Sequence, residues 1–239
     1  MVAMTAEPDR STEAALVVGT SGGIGRALAD GLAAQGYATI HRLARTGPTP
    51  CDLTDPASIA AAVATALDGP PITTAIIATG MLHDATNGPE KSLRDLDADW
   101  LARQFAVNAI GPALLLGHLL PKLPRDRPVR VAALGARVGS ISDNRLGGWY
   151  GYRASKAALH QMIRTAAIEW GRSHKQGVLV ALHPGTVATR LSAPFSRSTE
   201  GKTLLTPDES AALLLAVLDG LMPSHSGRIF DWRGSEITP

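Results

Sequence analysis

A single doubly wound α/β domain, built on a mostly parallel seven-stranded sheet with helices on both faces, is the fold class this sequence predicts. Three observations predict it. Short apolar runs alternate with helix-forming segments along most of the 239 residues; the first run ends in a glycine-rich turn that opens a helix; and neither an internal repeat nor a linker divides the chain. Near-continuous apolar strands belong to sheets buried on both faces, and parallel neighbours need crossover helices that cover those faces.

The polar residues 1–13 carry no periodicity and read as a flexible leader to a domain over 14–239. Ala14 to Val18 is the first apolar strand; Gly19-Thr20-Ser21-Gly22-Gly23-Ile24-Gly25 turns the chain, and Arg26 to Leu32 continues as helix. A second strand, Ala38 to Leu43, follows Gly36, and a turn rich in proline and glycine leads to Cys51-Asp52-Leu53. Pro56 stands near the start of an alanine-rich helix that Gly69-Pro70-Pro71 stops after Leu67. Thr74 to Thr79 is a buried strand closed by Gly80. Asp97 to Leu120 reads as a long helix, with Trp100, Leu101, Phe105 and Asn108 at helical spacing and Gly111-Pro112 bending or interrupting it. Val129 to Leu134 is the next strand, and a glycine-rich loop carries the chain to a helix around Tyr152 that runs to about His174. Val178 to Leu182 ends at His183-Pro184-Gly185; Ser192 to Thr206 is a polar loop, a lid or a disordered segment; Pro207 opens the helix Asp208 to Gly220, and Arg228 to Trp232 is the last strand.

Composition excludes several classes of function. Apolar residues make up 45%, charged residues 18% and aromatic residues 4%, which suits close helix-on-sheet packing and excludes disorder for most of the chain. The net charge of +2 comes without a basic block, so nucleic acid is not an expected partner. A single cysteine, Cys51, excludes an internal disulfide framework and fits a reducing, cytoplasmic setting. Met1 to Ser11 has no apolar core of a signal peptide, and the apolar run Ala113 to Leu120 is too short to span a bilayer, so no membrane association is expected. His83, His118, His160 and His183 stand at no spacing that suggests a metal site.

Ligands of doubly wound sheets bind outside the carboxyl ends of the strands, which puts Gly19, Asp52, Gly80, the loop after Leu134 and Gly185 along one rim. Glycines at 19, 23 and 25 let a pyrophosphate approach the backbone, and the helix beginning near Gly23 points free N–H groups at an anion; a tight structural turn is the alternative. The second strand ends His41-Arg42-Leu43-Ala44-Arg45, with two arginines and no acid. An acid there accepts bonds from a ribose 2′-OH, whereas an arginine pairs with a 2′-phosphate, so NADP(H) is favoured over NAD(H). Arg45 is the expected phosphate partner, because strand alternation turns Arg42 elsewhere; both as surface charges is the alternative. Tyr152 and Lys156, four residues apart on a helix, share a face. Facing a cofactor pocket, the ammonium would lower the phenol pKa toward working pH and make a general acid/base for alcohol and carbonyl chemistry. The alternative is a tyrosine at the core edge beside a solvated lysine. Apolar Leu82, Val138, Trp149 and Leu191 are candidates to line a substrate pocket.

In order and approximate spacing, the glycines 19, 23 and 25, Asp52-Leu53, Asn108, Tyr152-x-x-x-Lys156 and Pro184-Gly185-x-x-x-Thr189 resemble the short-chain dehydrogenase/reductase family over about residues 14–234. The loop from Gly139 to Trp149, just before Tyr-x-Tyr-Arg-x-Ser-Lys, is most similar to the family's C-factor-like and sniffer-type carbonyl reductase branch. The resemblance implies a Rossmann fold that carries its own substrate site. It implies a dinucleotide held by Gly19, Ser21, Gly22, Gly23, Ile24, Gly25, Thr79 and Gly80, with Asp52 and Leu53 at the adenine; a helix N-cap is the alternative for Asp52. Lys156 would also bond the nicotinamide ribose, Asn108 would hold a water linked to Lys156, and Pro184, Gly185, Val187 and Thr189 would grip the carboxamide, with a plain loop hydroxyl as the alternative for Thr189. Tyr152 would protonate a small carbonyl substrate, or deprotonate the alcohol, as hydride moves. A homodimer or homotetramer packed through the two long helices is also implied.

Two departures matter. The family's Asn-Asn-Ala-Gly appears as Ile77-Ala78-Thr79-Gly80, and the serine expected after the strand ending at Leu134 aligns with Ala136, leaving Ser140 as one candidate replacement. Losing one such donor costs on the order of 10²- to 10³-fold in rate. A second reading therefore stands: a catalytically weak NAD(P)-binding regulatory or signalling protein on the same fold.

Overall fold

The computed structural model describes residues 9–194 and 203–239. Strands β1 (Ala14–Val18), β2 (Thr39–Leu43), β3 (Ile72–Ile77), β4 (Val129–Leu134), β5 (Gly177–His183) and β8 (Ile229–Asp231) form one sheet in the order β2-β1-β3-β4-β5-β8, every pairing parallel. A separate parallel pair joins β6 (Thr186–Val187) to β7 (Leu204–Leu205). All five residues of β1 and all six of β3 are buried, because helices cover both faces. Leu16 and Val18, with Leu179 and Ala181, pack on Ile59, Leu115, Leu159 and Ile163, the inward residues of α2 (Pro56–Leu67), α4 (Gly111–Leu119) and α5 (Tyr150–Trp170). Ala15 and Val17, with Val178 and Val180, pack on Leu28, Leu32, Leu214 and Leu218 of α1 (Gly23–Ala34) and α6 (Pro207–Gly220).

The main sheet has six strands where the sequence predicts seven. The six apolar runs named in the sequence each supply one strand, and the short pair Thr186–Val187 and Leu204–Leu205 stays outside the sheet. Between β2 and α2 the chain makes an isolated bridge, Ala44 to Pro50. Asp55 then caps α2 through Ala57 N at 2.9 Å. Residues 9–13 of the predicted leader pack on the fold: Arg10 bonds Asp219 at 2.8 Å and lies over the Tyr37 ring, and Glu13 accepts from Thr73 at 2.7 Å. Residues 1–8, and residues 195–202 of the predicted polar loop, lie outside the described residues.

The long helix is interrupted as expected, by widening rather than by a sharp bend. α3 (Ala98–Phe105) passes through a π turn at Ala106–Ile110 into α4. Pro112 has no N–H for the Asn108 carbonyl, and Gly111 N reaches back five residues to Ala106 O. A side chain at Gly111 would collide with the Leu53 backbone, so glycine lets this helix cross the Asp52-Leu53 segment closely. With its last turn the stretch Ala98–Lys122 is 25 residues long, longer and more continuous than the apolar run Ala113–Leu120, and half of its most apolar window is buried inside the fold.

Candidate active site

Tyr152 and Lys156 occupy the first two turns of α5, on the face that meets the ends of β4 and β5. Both are buried. The Lys156 ammonium donates to Leu134 O at 2.7 Å, the last carbonyl of β4, and lies 6.0 Å from the centroid of the Tyr152 ring. Burial dominates both ionisations: it pushes the Tyr152 phenol up to about 12 and the Lys156 ammonium down to about 8. The expectation that Lys156 lowers the phenol pKa fails in this arrangement. The ammonium is turned to the Leu134 carbonyl, and burial is what raises the phenol.

Asn108 stands within the π turn, fully buried. Its Oδ1 accepts from Met81 N at 2.7 Å, and its Nδ2 donates to Met81 O at 2.8 Å and to Ser155 Oγ at 3.0 Å. Ser155 Oγ in turn donates to Tyr152 O at 3.0 Å. The amide thus pins the chain after β3 to the helix that carries Tyr152, and the bare Cα of Gly80 faces Lys156 Nζ and Asn108 Oδ1. Ser155 was missed as a site residue, although its place inside the Tyr-Lys motif was a signal that could have found it.

Beside the phenol lies a cavity of about 230 Å³. Leu82, Val138, Trp149 and Leu191 all converge there around Tyr152 and Ala136. Trp149 presents its ring edge-on to Tyr152, centroids 6.2 Å apart. Ala136 holds the position where a serine was expected, and Ser140 does not take over. Its hydroxyl donates to Thr238 O at 2.5 Å and accepts from Asp143 N at 3.1 Å, committed to the C-terminal segment. His160, one turn beyond Lys156, inserts behind Ala136: its Nε2 accepts from Ala136 N at 3.4 Å, and side chains at Gly135 or Gly139 would strike its ring. His160 and the cavity-lining His183 are both pushed by burial down to about 4 and are therefore neutral imidazoles. Among the described residues no cluster of histidine, cysteine and acidic groups could hold a metal.

The second cleft, of about 610 Å³, runs along the carboxyl ends of β1 and β3 between Gly19, Ser21, Gly22, Arg45, Asp52, Leu53, Thr79 and Gly80. Its floor is made for an anion. Gly22 gives α1 no side-chain cap and no acid stands in the first turn, leaving the N–H groups and the positive end of the dipole unmet. Gly19 has φ +93°, and a side chain at Gly25 would collide with the Gly19 carbonyl. Thr79 Oγ1 is buried without a partner among the described residues. At the rim, Asp52 is not the cap of α2; it folds over Thr54, bonding its N and Oγ1, and those bonds with the nearby Arg45 hold its carboxyl below the usual range. Arg42 turns to Asp30 at 2.7 Å, and exposed Arg45 lines the cleft. Arg103 of α3 lines it too, a cation the sequence reading did not find. Gly23 abuts Thr189 and Pro207, and Ile24, Pro184, Gly185, Val187 and Thr189 line the cavity beside Tyr152. The first turn of α1 therefore borders both spaces.

Fold and site define a doubly wound α/β protein with a cleft along the strand ends, floored by a helix N-terminus, and a buried tyrosine-lysine pair behind Gly80 and beside the smaller cavity. The family model for short chain dehydrogenases matches residues 13–200. C-signal of Myxococcus xanthus is 41% identical over 147 residues, which cover 61% of this chain and 82% of that protein. The 1-hydroxy-2-glutathionyl-2-methyl-3-butene dehydrogenase of Rhodococcus sp. (strain AD45) is 37% identical over 134 residues, and the match covers 56% of each chain. Among solved structures, the NADPH-bound carbonyl reductase from chicken fatty liver superposes with a TM-score of 0.76 at 25% identity, over 95% of this chain and 99% of its own. The chain belongs to the short chain dehydrogenase family, as an oxidoreductase in the branch that the loop before Tyr152 resembles.

Proposed function

We propose that this protein is an NADP(H)-dependent carbonyl reductase that also runs the reverse alcohol oxidation, with Tyr152 as the general acid/base. One observation carries the reading: a buried phenol borders an apolar cavity, and a buried ammonium one helical turn further on faces Gly80 in the wall of a cleft floored by an uncapped helix N-terminus. The orphaned N–H groups, the bare Gly19 and Gly25 and the unpartnered Thr79 hydroxyl fit a dinucleotide pyrophosphate and its neighbours. When bound, the nicotinamide supplies or accepts the hydride.

In the reductive direction Tyr152 gives its proton to the substrate oxygen. A phenol pushed up to about 12 keeps that proton at neutral pH, which suits an acid; in the oxidative direction the same group becomes competent as base only as the medium turns alkaline. Lys156 holds positive charge next to the phenolate left after proton transfer, and its remaining N–H groups are free for a ribose hydroxyl. Asn108 fixes the turn of chain that carries Gly80 and Met81, with a water toward Lys156 extending the relay. Pro184, Gly185, Val187 and Thr189 position the carboxamide, and Asp52 with Leu53 takes the adenine. Arg45 pairs with a 2′-phosphate, which favours NADP(H) over NAD(H). Leu82, Val138, Trp149 and Leu191 select a compact hydrophobic carbonyl compound. Exposed Ile110, Leu114, Met162 and Ile168 on the two long helices support a homodimer or homotetramer through those faces, and the lone buried thiol of Cys51 is in keeping with a reducing, cytoplasmic setting.

A second reading, a weakly catalytic NAD(P)-binding regulator, is favoured by the methyl group where a hydroxyl donor was expected at Ala136. The two are separated by screening ketones, aldehydes and quinones for NADPH consumption. Turnover that falls at least about 10³-fold in Tyr152→Phe, with NADPH affinity kept, is the expected result. Comparable turnover in that variant removes Tyr152 as the acid, and tight NADPH binding without any turnover selects the regulator.

A further inference from the structure

α5 begins poorly for a helix that must hold two reacting groups. Its N-cap is Trp149, in the left-handed region at φ 55° and ψ 42°, which gives the first turn no side-chain hydrogen bond. That conformation is strained for a bulky residue, and the first turn contains no acid. The missing acceptors arrive from the loop between β3 and α3. Glu90 is 3% exposed. Its Oε2 accepts from Gly151 N at 3.1 Å, its Oε1 accepts from Gln104 Nε2 at 2.8 Å, and its main-chain oxygen accepts from Trp149 N at 2.5 Å. A side chain at Gly151 would lie 2.8 Å from Glu90 Oε1, so the glycine is what admits the carboxylate to the helix end.

We propose that Glu90 is a positioning residue for Tyr152: a cap delivered from a distant loop that fixes the first turn of α5 against α3. A helix N-terminus favours an anion, and taking a carboxylate out of water is costly unless its oxygens are well bonded. Here both oxygens are bonded and the charge stands at the positive end of the dipole. The rest of α5 does not depend on this contact, because Leu159, Ile163 and Ala167 are packed in the core. What Glu90 decides is the turn that carries Trp149 and Tyr152, hence the placement of the phenol and of the indole edge beside it. The same loop supplies Leu82 to the cavity, so one carboxylate ties the cavity wall, the start of α5 and Gln104 of α3 together. The inference rests on the acid/base role of Tyr152 for its catalytic consequence, and on geometry alone for the fixing of the turn.

The test uses the full chain with NADPH and an aromatic aldehyde or quinone that the wild-type protein turns over. Glu90→Ala lowers kcat by at least about tenfold while the KM for NADPH stays within about twofold, since the cofactor cleft is untouched. Amide exchange at Trp149 and Gly151 accelerates by at least about tenfold, with residues 159–167 unchanged. Glu90→Gln rescues most of kcat: the Gln104 amide has its Oε1 buried without a partner and can flip to accept from the new amide. Where Glu90→Ala does not fold, Gly151→Ala displaces the carboxylate sterically and gives the same loss. Wild-type kcat in a folded Glu90→Ala or Gly151→Ala protein, or a uniform rise of exchange along α5 at constant kcat, overturns the proposal. If Tyr152→Phe retains full activity, the acid/base reading fails by itself, and the exchange at Trp149 and Gly151 still decides whether Glu90 fixes the turn.

Discussion

Ala136→Ser separates the two readings of this site, and it predicts a gain rather than a loss. Ala136 is packed against Tyr152 and Leu82 at the mouth of β4, with an extended backbone (φ −153°, ψ 141°) that a serine adopts without strain. Besides that of Tyr152, the hydroxyls that line the cavity, those of Thr186, Thr189 and Ser192, come from the chain after β5 and not from the end of β4. A new donor aimed at the oxygen that gains charge is worth on the order of 10²- to 10³-fold in a dry site. Choosing one of three staggered rotamers takes back about threefold, so kcat should rise by about 30- to 300-fold, with the KM for NADPH unchanged. The same hydroxyl is nearly buried and unpaired before substrate arrives, which costs about 1–3 kcal/mol of stability; in a chain of this length that lowers Tm by about 2–4 °C per kcal/mol. The assay is steady-state NADPH consumption beside a thermal melt. A Tm that falls while kcat stays flat would refute the reasoning, because the serine would then be in place and the site would already own its second donor.

Two further outcomes follow from single features. Arg45→Asp should weaken NADP(H) binding at least about tenfold and spare NAD(H), as read by titration of each cofactor; an unchanged preference moves the 2′-phosphate to another cation, with Arg103 across the cleft the first to test. Stability should fall as pH drops from 6.5 to 4. His160 and His183 ionise near 4 when folded and near 6.5 when unfolded, so in that window the unfolded chain binds protons that the folded one refuses, a share of roughly 3 kcal/mol at most for each. Urea midpoints at a series of pH values should show the slope, and His160→Gln should flatten it; an equal slope in that variant would assign the loss to other groups.

Much of the site was legible because its chemistry is local. The glycine turn from Gly19 to Gly25, the proline and glycine after β5, and the four-residue interval from Tyr152 to Lys156 are each written within one turn or helix, where spacing alone fixes neighbours. Leu82, Val138, Trp149 and Leu191 could be named as candidates from the sequence, but only the fold brings them to one cavity. What the sequence hid is what comes from elsewhere in the chain. Glu90 meets Gly151 across 61 positions, and no local pattern announces such a contact. Lys156 finds Leu134 O only because β4 ends beneath α5, and the resulting burial reverses the expected direction of the phenol pKa. Ser140 was a fair candidate by proximity in sequence, but the C-terminal segment claims it first. The seventh strand had no apolar run of its own in the sequence, and the sheet ends at six.

The π turn at Ala106–Ile110 has a consequence in helical phase. Each residue advances an α-helix by about 100°, and a wide turn takes up one extra residue without that advance. Trp100 and Gln104 face inward before it, and Leu115, Leu116 and Leu119 face inward after it; both stripes meet the core, with the extra residue absorbed between them. Asn108 sits at the seam. The position of its amide is therefore held by the residue count of the helix as much as by any bond it makes. Deleting one residue from 106–110 would give a regular helix that keeps both stripes on the core, and would remove the wide turn that holds the Asn108 amide against Met81 and Ser155.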